Sequence, residues 1–159
     1  MRDANVGAVE WPQSFYDLKR GEGCPMCEQG RPDETEYGAR FYAGEVADAY
    51  LQKADIQRGY SVVVWRGRHV SEPTELSAGE ATQYWLEVLE AARRIEGHLQ
   101  PVKLNYQLFG NALPHLHTHV IPRYADDPRP GWPFPFPEGE DPGPIDEQQF
   151  RGDVEALRG

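Results

Sequence analysis

Apolar positions along this chain fall into short runs of two periods. Ser61-Val62-Val63-Val64-Trp65, opened by Gly59 or Tyr60, is β-branched and predicts a buried strand. Tyr37 to Tyr42 and Val46 to Lys53 predict two strands before it, and Val102 to Phe109 one after it, closed by a turn at Gly110-Asn111. His115 to Ile121 alternates apolar and polar residues except at its end and predicts a further strand. Helical spacing appears where Trp85, Leu86, Leu89, Ala92 and Ile95 recur, and predicts one long helix with that stripe facing the core. Ser77-Ala78-Gly79-Glu80 matches a capping box at its start, and Pro101 ends it.

The remaining segments are less regular. Residues 1 to about 12 read as a loose tail, Ser14 to Arg20 as a short helix, and residues 21 to 36 as a loop. Eight prolines lie from Pro122 to Pro144, which excludes a helix or a central strand there. Trp132, Phe134 and Phe136 in that stretch predict an extended loop draped over the domain. Asp146 is placed to cap a last helix with Phe150, Val154 and Leu157 on one side. No internal repeat is visible. These elements predict a mixed fold of strands with one long helix and a short C-terminal helix, in one domain. Residues 1–20 form its tail and first helix, 21–125 its core, and 126–159 its Pro-rich extension and last helix.

A length of 159 residues suits one domain with a real core. The formal charge of −10 argues against broad nucleic-acid binding, while leaving room for a phosphorylated small molecule held by local donors. The acidic C-terminal region, including Asp153, reads as solvated surface, as does His98. No run of 18 apolar residues occurs, and Met1 to Glu10 lacks the apolar stretch of a signal peptide, so a cytoplasmic protein is expected.

Candidate chemistry is concentrated in two places. Three of the five histidines fall within five residues, at His115, His117 and His119. On a strand they share one face at spacings of about 6.5–7 Å. Neutral imidazole is a nucleophile, an acid/base and a metal ligand near neutral pH. A tag-like stretch would lie at a terminus, without Leu116, Val120 and Ile121 woven through it. The only two cysteines form Cys24-Pro25-Met26-Cys27. A C-x-x-C reads as metal or redox; Gly21 and Gly23 beside it resemble a zinc knuckle more than the start of a redox helix.

The stretch from Leu104 to Arg123, with His115-Leu116-His117-Thr118-His119-Val120-Ile121 at its centre, resembles the histidine-triad (HIT) family, whose signature alternates histidine with apolar residues. Thr118 is the one position not strictly apolar. Arg58 to Val64, followed by His69, resembles the family's central strand and trailing histidine, so the likeness covers about residues 20 to 125. It implies an α+β domain, an antiparallel sheet of about five strands crossed by one long helix, usually a homodimer, and chemistry at the α-phosphate of a nucleotide. By this resemblance His117 is the nucleophile, and its second nitrogen donates to a backbone carbonyl near the triad's start. His119 serves the phosphate or leaving-group oxygens. Asn111 and Gln107 are candidates for phosphate contact, Arg123 for assistance, and Asp55 for the ribose, although the acid often falls nearer Lys53 or Ala54. Ala112 departs from the Ser or Thr that many members carry. The resemblance to zinc-bearing members implies a structural zinc on Cys24, Cys27, His69 and His115.

The activity implied is hydrolysis of a dinucleoside polyphosphate or a nucleoside phosphoramidate. Nucleotidyl transfer to phosphate or a sugar phosphate is the near alternative. Two other classes compete: a zinc-stabilised module that binds nucleotides without turnover, and a catalytic metalloenzyme using His-x-His as cupins do, for which the carboxylate after His119 is missing.

Overall fold

The computed structural model describes residues 10–159. Most of the tail expected over residues 1 to about 12 lies outside them. The first helix, α1, runs Gln13–Lys19, and a four-residue helix, α2 (Pro25–Glu28), interrupts the stretch expected as loop. Five strands follow: β1 (Gly38–Ala43), β2 (Ala47–Gln52), β3 (Ser61–Trp65), β4 (Lys103–Gln107) and β5 (His117–Arg123). Every neighbouring pair is antiparallel, in the order β1-β2-β3-β5-β4. The expected α+β architecture is therefore the observed one.

Helix α3, Ala78–Leu99, lies between β3 and β4. Its capping box forms: the Ser77 side chain accepts from the Glu80 N–H, and the Glu80 carboxylate accepts from the Ser77 N–H. Gln100 leaves the helix in the left-handed region, just before Pro101. The buried stripe is Tyr84, Val88, Ala91, Ala92 and Ile95. This corrects the expected face, for Trp85 and Leu86 are exposed. Apolar residues span more than half the helix circumference, and Glu87 interrupts the true stripe. Glu87 is buried because its carboxylate accepts from the Glu45 and Val46 N–H groups at the β1–β2 turn.

Central strands face apolar layers on both sides. Val63 and Trp65 of β3 and Val120 of β5 pack toward α3, with Leu116 just ahead of β5. Thr118 also points that way, and its hydroxyl meets the Tyr84 hydroxyl at 2.7 Å, which satisfies a polar group inside the core. Val62, Val64 and Ile121 lie on the opposite face. Pro122 stands inside β5, contrary to the expectation that prolines avoid central strands. The β3–β5 pairing ends at Ser61↔Val120, so its missing N–H falls beyond that ladder, while Gln57 donates to its carbonyl.

Helix α4, Glu147–Arg158, packs against β1 and α3 through Phe150, Val154 and Leu157, with Asp146 accepting from the Gln149 N–H as cap. Asp153 is not solvated surface: it is buried and accepts from Arg58, with His98 at 2.7 Å. No helix among the described residues is long and apolar enough to cross a membrane.

Asp48 on β2 is fully buried and paired with Arg31 and Arg66, with Arg40 at 3.4 Å. Arg66 also donates to the Met26 carbonyl and the Tyr50 hydroxyl, which in turn donates to the Pro32 carbonyl, so one carboxylate ties the cysteine-bearing segment to the sheet. Burial alone would raise the Asp48 carboxyl, but hydrogen bonds from Arg31 and Arg66 outweigh it and hold it below the usual range. We expect Asp48→Asn to cost about 3–5 kcal/mol in urea unfolding, because two arginines lose a buried partner. In the parent this contribution is present above the ordinary carboxylate pKa and is lost as pH falls below it.

Candidate active site and metal cluster

The last triad positions lie on β5, but the strand begins at His117, so His115 precedes it and the three rings do not form one row. The His117 and His119 rings meet T-shaped at 4.9 Å, whereas His115 turns toward the cysteines. A bend at His115 explains the break, and Leu116 after it is held by its N–H donating to the Val70 carbonyl and its carbonyl accepting from the Trp65 N–H.

His117 is mostly buried, and its Nδ1 lies 2.5 Å from the His115 carbonyl. A carbonyl only accepts, so Nδ1 carries the proton and Nε2 keeps its lone pair. Nε2 has no hydrogen-bond partner among the described residues and is not sealed from solvent. The ring borders a cavity of about 400 Å³ with His119, Tyr60, Phe109, Asn111 and Phe136. Burial lowers the His117 pKa. His119 is pushed down to about 4 by burial, with a smaller effect from His117. Both rings are therefore neutral near pH 7.

Tyr60 completes this arrangement. Its hydroxyl lies 2.7 Å from His119 Nδ1, and the two rings stack at 5.9 Å. Burial raises the phenol to about 12, so it keeps its proton and is able to donate it to Nδ1. In that arrangement the His119 proton is on Nε2. Sequence reasoning placed Tyr60 only as the opening of a strand. The cross-strand register Val62↔His119, with Tyr60 two residues before Val62 on the same face, was the signal that could have found it.

The other expected residues separate. Asn111 is exposed at the cavity mouth beside Ala112. Gln107 pairs with His119 in register but borders a different hollow of about 790 Å³ along β4, and its Oε1 is buried without a partner among the described residues. Arg123 borders that hollow too. Its guanidinium is occupied by Asp127, Asn105 and the Trp132 and Arg129 carbonyls, so the structure gives it a bracing place away from the triad. Asp55 is exposed outside the triad cavity, and its N–H donates to the Gly143 carbonyl where the Pro-rich segment returns.

Cys24, Cys27, His69 and His115 converge, with ligand atoms all within 4.8 Å of one another. Cys24 Sγ lies 3.4 Å from His115 Nδ1, and Cys27 Sγ lies 3.3 Å from His69 Nδ1 and 3.5 Å from His115 Nδ1. A tetrahedral zinc with ordinary Zn–N and Zn–S bonds places such atoms about 3.5 Å apart. Nε2 of His115 faces the Trp65 carbonyl at 2.7 Å and Nε2 of His69 the Lys19 carbonyl at 3.2 Å, so both rings turn an Nδ1 lone pair inward. The donor set fits zinc. Gly21 makes room: its φ is +87°, and a Cβ there would stand 3.0 Å from the His69 ring. The sheet is antiparallel, without the βαβ setting that the redox reading of C-x-x-C requires. His117 and His119 belong to no metal-binding cluster among the described residues.

The family model of the HIT domain matches residues 36–126, more than half of the chain. The chain belongs to the HIT family. It is 30% identical over 109 residues to "Protein hit" of Bacillus subtilis, covering 65% of this chain and 73% of that one. Among solved structures it is similar to a histidine triad protein from Bradyrhizobium japonicum, with 24% identity, a TM-score of 0.65, and coverage of 77% of this chain and 90% of that one. It is also similar to a hypothetical histidine triad nucleotide-binding protein from Sulfolobus tokodaii, with 18% identity, a TM-score of 0.59, and coverage of 91% and 89%. These two likenesses concern the fold. The family match ends at residue 126, before Phe134 and Phe136 of the Pro-rich segment.

Proposed function

We propose that this HIT protein hydrolyses a nucleoside phosphoramidate or a dinucleoside polyphosphate at the α-phosphate, through a nucleotidyl intermediate on His117. The observation that carries this reading is the His117 ring, with its Nδ1 proton held by the His115 carbonyl and its Nε2 open to a cavity. The Sulfolobus tokodaii protein of the same fold carries "nucleotide-binding" in its name, which agrees with it.

In the first step Nε2 attacks phosphorus and a P–Nε2 bond forms. The bond from phosphorus to the leaving group breaks, and the leaving group keeps the electron pair and takes up a proton from solvent. In the second step water oxygen attacks phosphorus and the P–Nε2 pair returns to nitrogen. The water proton is released to solvent, and the products are a mononucleotide and the leaving group. His119, with its proton on Nε2, donates to the phosphoryl or leaving-group atom that gains charge. Asn111 is the other polar side chain at the cavity mouth, where Ala112 supplies no hydroxyl.

Cys24, Cys27, His69 and His115 would hold a structural zinc ion. When bound, it would cross-link the α1–α2 region to the sheet and use all four positions on protein ligands. His115 would then be fixed, and with it the carbonyl that sets the His117 tautomer. The exposed Trp85, Leu86 and Tyr106 beside the β4 edge support a homodimer, which a solution mass near twice 18.0 kDa would check.

The test is release of mononucleotide from an adenosine phosphoramidate and from diadenosine tetraphosphate, with and without added phosphate. Release in water supports the hydrolase, and a nucleoside diphosphate formed only with phosphate indicates the transferase. Binding without release, the outcome that Ala112 keeps open against the intact triad, would leave a binding module. Tyr60→Phe is expected to lower kcat/KM about 2- to 10-fold, the worth of one neutral hydrogen bond. It should also move the acid limb upward, since the lost donor favoured neutral His119. A pH–rate profile checks both, and an unchanged profile contradicts the Tyr60–His119 coupling.

A further inference from the structure

The triad cavity has an aromatic side and no cationic one. Phe109 and Phe136 lie 5.3 Å and 6.1 Å from the His119 ring and 6.0 Å from each other, and Tyr60 lies 5.7 Å from Phe136. Phe136 is supplied by Pro133-Phe134-Pro135-Phe136-Pro137, in which three prolines restrict the backbone and so reduce the entropy lost on ordering the rings. Phe134 packs edge-on to Phe136 at 5.1 Å and joins the apolar layer with Val62, Val64 and Ile121. No lysine or arginine among the described residues borders the cavity. The guanidinium groups of Arg66, Arg58 and Arg123 are paired with Asp48, Asp153 and Asp127.

Such a lining can satisfy one ionised phosphoryl group through neutral donors. It offers nothing to offset the several charges of an extended phosphate chain, and the net charge of −10 opposes their approach. Phe109 is half exposed and Phe136 partly buried at the cavity wall, which suits a flat ring, for which stacking on an aromatic side chain is worth about 1–3 kcal/mol.

We infer that the Pro-rich segment is a specificity element of this site, in which Phe136 and Phe109 form a wall that selects a substrate bearing one ionised phosphoryl group and a flat aromatic ring. The ring has two possible sources, the nucleobase or an aromatic leaving group. The inference rests on the cavity being the substrate site proposed above, but its test needs no turnover.

The experiment is calorimetric binding at pH 7 to the full chain, Phe136→Ala, Phe136→Leu and the exposed control Trp132→Ala. Two ligand pairs are used, phenyl phosphate against methyl phosphate, and adenosine monophosphate against ribose 5-phosphate. The ring-bearing member of at least one pair is expected to bind the parent about tenfold tighter than its ringless partner, the low end of the stacking range. Phe136→Ala should abolish that preference, leave the ringless ligand within about twofold, and be matched in direction by Phe136→Leu, which keeps apolar bulk without the ring. Trp132→Ala should behave as the parent. The pair that responds identifies the source of the ring. Equal loss for all four ligands, or no loss for any, would overturn the inference. So would tripolyphosphate binding more tightly than adenosine monophosphate with magnesium present. If binding follows this pattern while no substrate is turned over, the hydrolase proposal fails and the specificity wall stands.

Discussion

His117→Ala is expected to reduce mononucleotide release by a factor of about 10⁴ or more, while nucleotide affinity changes by less than about tenfold. Loss of a nucleophile removes the covalent route itself, and single deletions within a catalytic unit cost nearly as much as removing the unit. Ground-state binding survives because the cavity walls come from other side chains: Phe109 and Phe136 for the ring, and His119 and Asn111 for oxygens. The folded state should also survive, since the imidazole bonds only one carbonyl of its own strand region. Single-turnover kinetics on a phosphoramidate, with equilibrium binding of the mononucleotide, separates the two effects. Residual turnover within tenfold of the parent would mean that another group attacks phosphorus.

The double substitution Cys24→Ser, Cys27→Ser carries the second largest expected effect. Stoichiometric zinc should disappear from the purified protein, and unfolding should cost several kcal/mol, because metal binding free energy in a closed site is folding free energy. The cluster joins three separate regions: the C-x-x-C segment, His69 beyond β3 and His115 before β5. Losing it releases all three at once. Activity should fall as well, since His115 and the carbonyl that sets the His117 tautomer lose their anchor, although His117 itself stands outside the set. Metal analysis and chemical unfolding measure this directly. Zinc retained at full stoichiometry in the double variant would refute the site.

Much of this was legible in the residues alone. The capping box, the β-branched run and the alternating histidines each obey a local rule, and they located α3, β3 and β5 with the correct class of fold. The four cluster residues followed from family resemblance, and their convergence agrees with it. The failures have physical causes. The face of α3 was misassigned because Glu87 is buried for its hydrogen bonds to two backbone N–H groups, which no apolar count registers. Asp153 looked like a surface charge until Arg58 and His98, distant in sequence, enclosed it. Tyr60 and Phe136 reach the cavity only through tertiary packing, one by cross-strand register and the other from 17 positions beyond His119.

The central claim is a bond between phosphorus and His117 Nε2. It is tested most directly by mixing the protein with an adenosine phosphoramidate, quenching within the first turnover in alkaline denaturant to preserve the acid-labile P–N bond, and mapping the peptide masses. The account predicts an adenylyl group on the peptide holding His117, absent from His117→Ala. Rapid turnover with no adduct, or with the adduct on another residue, would contradict it.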